Sequence, residues 1–143
     1  MAYAVSFERK PGYMHAVITG RNSAETITGY IQDLIRECTA QSCNRLLVEE
    51  RLEGPRLGTF DVFKLAELAS TEARGLFKAV AYVDVNAHGD LMQFASTVAV
   101  NRLLPLFNFS TVAEAEHWLR EEAGRDPQDA EEPSPGNPPG SGA

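Results

Sequence analysis

The sequence predicts an α/β fold. It reads as a single domain whose elements run β-β-α-β-α-β-α-β-α, forming a mostly parallel mixed sheet with an N-terminal hairpin and packed helices. Three observations carry this. The first residues alternate apolar and polar with period two, and a Pro-Gly turn follows them. Apolar residues then recur at three- and four-residue steps in separate blocks. Short, continuous apolar runs lie between those blocks, as strands buried on both faces require.

Each element follows from its residues. Tyr3, Val5 and Phe7 fall on one face and Ala4, Ser6 and Glu8 on the other, which gives a half-buried strand. Pro11-Gly12 is turn chemistry, and residues 13–19 return as a second strand, closing a hairpin. Asn22 or Ser23 is placed to cap a helix, and Asn22 and Glu25 have the spacing of a capping pair. That helix carries Ile27, Tyr30, Ile31, Leu34, Ile35 and Cys38 on one stripe. Residues 45–50 hold the run Leu46-Leu47-Val48, a central strand. After the turn-forming Gly54-Pro55 and Gly58, Thr59 is placed to cap a second helix bearing Phe60, Phe63, Leu65, Leu68 and Ala69. Residues 79–85 give another buried strand, and Leu91, Phe94, Ala95, Val98 and Arg102 mark a third helix. Residues 104–109 suit a last strand, with Pro105 at its start or on an edge. Thr111 and Glu114 have capping-box spacing ahead of a final helix with Val112, Ala115, Trp118 and Leu119 on its apolar side. The domain is expected over residues 1–123. The Pro-, Gly- and Ser-rich acidic segment 124–143 has nothing to bury and is expected to be disordered.

Composition narrows the function. The 143 residues carry a net charge of −7, and the first 123 hold 12 basic and 16 acidic side chains. A mildly acidic surface without a basic stripe argues against a nucleic-acid partner. Cys38 and Cys43 stand without a further Cys or His pair at metal spacing, so they read as reduced thiols at a helix-to-strand junction, with no metal and no cofactor implied. The N-terminus lacks the features of a secretory signal, and no stretch approaches the ~18 apolar residues of a membrane span. A cytoplasmic protein is expected.

In sequence order, the N-terminal hairpin, Leu46-Leu47-Val48-Glu49, Phe60-Asp61-Val62-Phe63-Lys64-Leu65 and Lys78-Ala79-Val80-Ala81-Tyr82-Val83 form a pattern. The block from Phe107–Phe109 to Ala115-Glu116-His117-Trp118-Leu119 completes it. Across residues 3–122 this pattern resembles the SpoIIAA-like family, which has the STAS-domain fold of bacterial anti-sigma factor antagonists and is related to the lipid-binding Sec14-like domains. The matching positions are core and capping residues, so the resemblance implies a fold and, less directly, a regulatory binding role. The classical antagonists place a phosphorylated Ser in an Asp-Ser-Ser-Gly-like motif before a helix. Here the corresponding stretch, residues 50–59, has no Asp-Ser pair, and only Thr59, beside Gly58, occupies an equivalent place.

The candidate sites follow. Thr59 with Arg56 and Arg51 makes a phosphoacceptor or anion site at a helix start, set against the simpler reading of an N-cap with solvated arginines. Phe60 and Phe63 with Met92 and Phe94 make a ligand-binding cleft between the second and third helices, at the carboxyl ends of the strands, set against plain core packing. Asp84 with Asn86 and His88 is the cluster best placed for catalysis in such a sheet, set against an ordinary polar turn. His15, His88 and His117 lie on three separate elements, and no nucleophile elbow or phosphate loop occurs. A non-enzymatic regulatory module acting through protein–protein interaction, with a homodimer among its forms, is the expected function. Its alternative is a carrier or sensor of an apolar, lipid-like small molecule.

Overall fold

The computed structural model describes residues 3–55, 57–85 and 104–125. Its elements are β1 (Tyr3–Lys10), β2 (Tyr13–Arg21), α1 (Ala24–Ala40), β3 (Arg45–Glu53), α2 (Thr59–Glu72), β4 (Ala79–Asp84), β5 (Leu106–Phe109) and α3 (Val112–Arg125). The expected helix over residues 91–102 and residues 126–143 of the expected tail lie outside the described residues, while Gly124 and Arg125 of that tail continue α3. The five strands form one mixed sheet in sequential order, β1 to β5. β1 and β2 pair antiparallel, and every other neighbouring pair is parallel.

The hairpin closes with Lys10 opposite Tyr13, so Pro11 and Gly12 alone make the turn. Gly12 has φ +87, a conformation that side-chain-bearing residues adopt with strain. Parallel pairing then requires crossovers, and α1 and α2 supply those from β2 to β3 and from β3 to β4. α1 begins at Ser23, whose hydroxyl accepts the Thr26 amide at 3.0 Å, so Ser23 rather than Asn22 is the cap. α1 also carries a glycine in its second turn. A Cβ on Gly29 would stand 2.7 Å from the Tyr3 hydroxyl, which donates to Asp33 at 2.6 Å. Gly29 lets the first strand press against this helix.

The end of α1 explains the two cysteines. The Cys43 amide donates to the Cys38 carbonyl at 2.9 Å, and the Ser42 amide to the Thr39 carbonyl at 3.2 Å. Ser42 sits between them with φ 54. These are the paired hydrogen bonds of a Schellman motif, with serine where glycine is usual. Such motifs are accompanied by an apolar contact between the flanking positions, which Cys38 and Cys43 provide. Both thiols are free and buried, and burial pushes the Cys38 thiol up to about 12.

Alternation along the strands divides the core in two. Met14, Ala16 and Ile18, then Leu46, Val48 and Leu52, then Val80 face α1 and α2. Tyr13, Leu47, Ala79, Ala81 and Val83 face the opposite way and pack on Ala115 and Leu119 of α3. Helices therefore cover both faces, as the two-sided burial of β3 demands. Thr111 caps α3 by accepting the Glu114 amide at 3.1 Å. The closing aromatic block packs together, with the Trp118 ring centroid 5.3 Å from those of both Phe107 and Phe109.

Two outcomes test this packing by urea denaturation. Leu47, 0 % exposed at the centre of the sheet, should cost about 2–5 kcal/mol on replacement by alanine, whereas Phe60, 70 % exposed, should cost within about 0.5 kcal/mol. Ser42→Gly should stabilise by about 1 kcal/mol, because glycine adopts the left-handed conformation without strain. No gain would mean that the Ser42 side chain compensates for its backbone.

Candidate functional site

The sheet concentrates polar groups at the carboxyl ends of β3 and β4, where ligands bind in open parallel sheets. On the α1/α2 face of β3, the alternating series is Leu46, Val48, Glu50, Leu52. Glu50 thus points into the core and is 2 % exposed. Its register partner on β4 is Asp84, also buried, and Tyr82 lies two residues earlier on the same face. Tyr30 of α1 reaches down to donate its hydroxyl to Glu50 in a short hydrogen bond. Glu50 also shares hydrogen bonds with Tyr82 and Asp84. For two carboxyl groups to hydrogen-bond, one must carry a proton. Burial pushes the Glu50 carboxyl up to about 7, the Tyr30 and Tyr82 hydroxyls draw it down, and Asp84 pushes it up again. Burial, with the negative charge of Glu50 beside it, holds the Tyr30 phenol well above its ordinary range.

This cluster forms the polar end of a groove between the sheet and the two crossover helices. α2 turns Val62, Leu65, Ala66, Ala69 and the following Ala73 toward the sheet. α1 contributes Ile27, Ile31, Leu34 and Ile35. Ala66 and Ala69 of α2 and the following Ala73 face strands that themselves present Val48 and Val80, and this shortage of side-chain volume leaves a half-open cavity of about 140 Å³. Its polar lining among the described residues is Asn22, Tyr30, Glu50 and Tyr82. A largely apolar concavity with a few converging polar groups is the usual form of a small-molecule site.

The other face of β3 carries the series Leu47, Glu49, Arg51. Glu49, 6 % exposed, accepts from His15 Nε2 at 2.8 Å and from Arg51 Nε at 2.5 Å. Burial alone would raise the Glu49 carboxyl, but the hydrogen bonds from His15 and Arg51 outweigh it and hold the group below its ordinary range. A buried acceptor with a donor on each oxygen is a satisfied structural cluster that ties β2 to β3.

The residues singled out in the sequence are distributed differently. Phe60 projects from α2 into solvent, with the Lys64 Nζ 5.3 Å from its ring centroid. Phe63 is half-buried but does not line the groove, and Met92 and Phe94 lie outside the described residues. The described apolar site is thus built by α1, α2 and the sheet. Arg51 is engaged with Glu49 and does not join Thr59, and Arg56 lies outside the described residues. Thr59 is the first residue of α2 and is exposed. The cap is Gly58, which makes no side-chain hydrogen bond, so Thr59 is not the N-cap. Asp84 meets Glu50, while Asn86 and His88 lie outside the described residues. His117 pairs with Glu121 one turn along α3 at 3.1 Å.

Among the described residues, no helix is long and apolar enough to cross a membrane, and no group of three His, Cys, Asp or Glu side chains is placed to hold a metal ion. No family model matches the chain, and no curated protein matches it.

The raised Glu50 carboxyl predicts a pH dependence of stability. In the unfolded chain this group titrates at 4.5, and in the folded protein at about 7. Between those values the folded state keeps a proton that the unfolded chain has released. The Glu50 contribution is therefore fully present below 4.5 and is lost as pH rises toward 7. Denaturation midpoints measured across this window should fall for the wild type, and Glu50→Gln should remove part of that fall. Parallel curves for the two proteins would show that Glu50 is ionised throughout.

Proposed function

We propose that this domain is a non-enzymatic binding module whose groove takes up an apolar small molecule, as a carrier or a sensor. The observation that carries the reading is the half-open cavity of about 140 Å³ along the α1/α2 face of the sheet, whose polar end lies near the carboxyl ends of β3 and β4. Its size is close to that of an engineered apolar cavity of about 150 Å³ that binds benzene. It thus suits a single ring or a short alkyl chain, with any longer ligand extending outward. The finer assignment of the fold belongs to the same proposal. The N-terminal hairpin, the sequential sheet order and the helices on both faces support a SpoIIAA-like, STAS-type arrangement. Two free buried thiols accord with a reducing, cytoplasmic setting.

A second reading, a module acting through protein–protein contact, is favoured by a different observation. Phe60 and Phe107 are exposed at 70 % and 41 %, and β5, which carries Phe107, is an edge strand of the sheet among the described residues. Exposed aromatics and an open edge are features that partner chains cover. Native mass spectrometry of the full chain separates the two. The carrier reading predicts a stoichiometric small molecule on the monomer. It also predicts that Ala69→Leu, which fills the groove from α2, removes that molecule while leaving a folded protein. Ligand-free dimers in both proteins would favour the contact module instead.

A further inference from the structure

We propose that β1 pairs antiparallel with β1 of a second copy of the chain, joining the two sheets across a two-fold axis at Ser6. The inference goes beyond the groove reading and does not rest on it, because the groove lies on the α2 side of α1 and this contact on the other. Among the described residues, β1 has a neighbouring strand on one side only, so alternate amide and carbonyl groups along its outer edge are open to another strand. A trough of about 320 Å³ follows this edge. It is bordered by Tyr3, Val5 and Phe7 of the strand and by Asp33, Arg36 and Glu37 of α1, and it shares no described residue with the groove. A strand added to the edge sends every second side chain into the trough.

The occupant is a second copy because this edge complements itself. With Ser6 opposite Ser6 of the partner subunit, Val5 meets Phe7 of the partner subunit and Tyr3 meets Arg9 of the partner subunit, all on the α1 face. Ala4 meets Glu8 of the partner subunit on the other face, so neither Glu8 nor Arg9 stands opposite a like charge. The helices agree with the strands. Tyr3 donates to Asp33 at 2.6 Å near one end of β1, and Arg9 donates to the Gln41 carbonyl at 2.9 Å near the other. Ser6, midway between them, is therefore level with Arg36 and Glu37. α1 lies over β1 and β2. With strands about 4.8 Å apart, the axes of the two α1 helices run about 10 Å apart, which is the spacing of packed helices. They are antiparallel across the axis, so Arg36 of each copy faces the acidic Glu37 and Asp33 of the partner subunit. Such a flank is complementary in charge to itself, as a two-fold contact requires.

Sedimentation velocity of the full chain over a concentration series tests the pairing. One strand edge and one helix flank make a small interface, so the dimer is a transient one that dissociates at the dilution of native mass spectrometry. The average mass should rise from 15.6 kDa toward twice that value as concentration increases. Arg36→Glu, at a side chain 72 % exposed, should weaken the dimer about tenfold or more, because both symmetry-related ion pairs become repulsive. Glu37→Arg should weaken it as well. An equimolar mixture of the two variants should restore association, which also shows that both fold. A wild type that stays monomeric at every concentration would overturn the proposal. A dimer that Arg36→Glu leaves unchanged would overturn it too, by placing the contact elsewhere, as would a mixture of the folded variants that fails to associate.

Discussion

The structure depends on the burial of β3 from both sides. With α1 and α2 against one face and α3 against the other, almost every side chain from Arg45 to Glu50 leaves solvent. A strand in that position has no solvent face on which to place a charge. Yet β3 carries two consecutive glutamates near its carboxyl end, and alternation sends them to opposite faces. Glu49 is met by His15 and Arg51 and becomes part of the scaffold. Glu50 is met by two phenols and another carboxyl and stays near neutrality instead. One backbone constraint thus yields an ion-paired carboxylate and a proton-holding one within two residues.

The same face shows a second departure from what stability favours. α2 and the residue after it turn Ala66, Ala69 and Ala73 toward the sheet where leucines or isoleucines would fill the space. Apolar cavities are destabilising roughly in proportion to their volume, and a buried carboxyl cluster adds a desolvation cost. The two costs adjoin, since the cavity runs along the α1/α2 face to the carboxyl cluster at the end of the sheet where binding sites form. Features that reduce stability together at such a position are expected of function. The amphipathic pattern of α1, the Schellman turn after it and the aromatic block around Trp118 follow local rules and show no such conflict.

Much of this was legible in the sequence. The Pro11-Gly12 hairpin, the α1 stripe, the buried strands and the Thr111 cap follow from spacing and turn chemistry alone. The α1 cap fell on Ser23, one of the two residues that the sequence offered, whereas the α2 cap lies one residue before the expected Thr59, at Gly58. The inward face of α2 was the larger departure. Phe60, Phe63, Leu65, Leu68 and Ala69 do not form one stripe, and hydrophobicity drew attention to Phe60, which is exposed. The neighbours of α2 select its smaller residues, and single-residue hydrophobicity does not carry that information. Glu50 had a signal that spacing alone contains. It interrupts the every-second-residue series Leu46, Val48, Leu52, and Asp84 ends the next strand on the same face. Tyr30 was visible only as a stripe residue, because its partner lies 20 positions away.

The central claim is that the space between α2 and the sheet is an apolar site, and a crystal of the full chain pressurised with xenon tests it most directly. Xenon enters dry apolar cavities without needing a polar contact. The account predicts xenon density among Val48, Ala66, Ala69 and Val80, with Glu50 and Tyr82 at one end. A groove filled by side chains of the chain itself, with no xenon there, would contradict it.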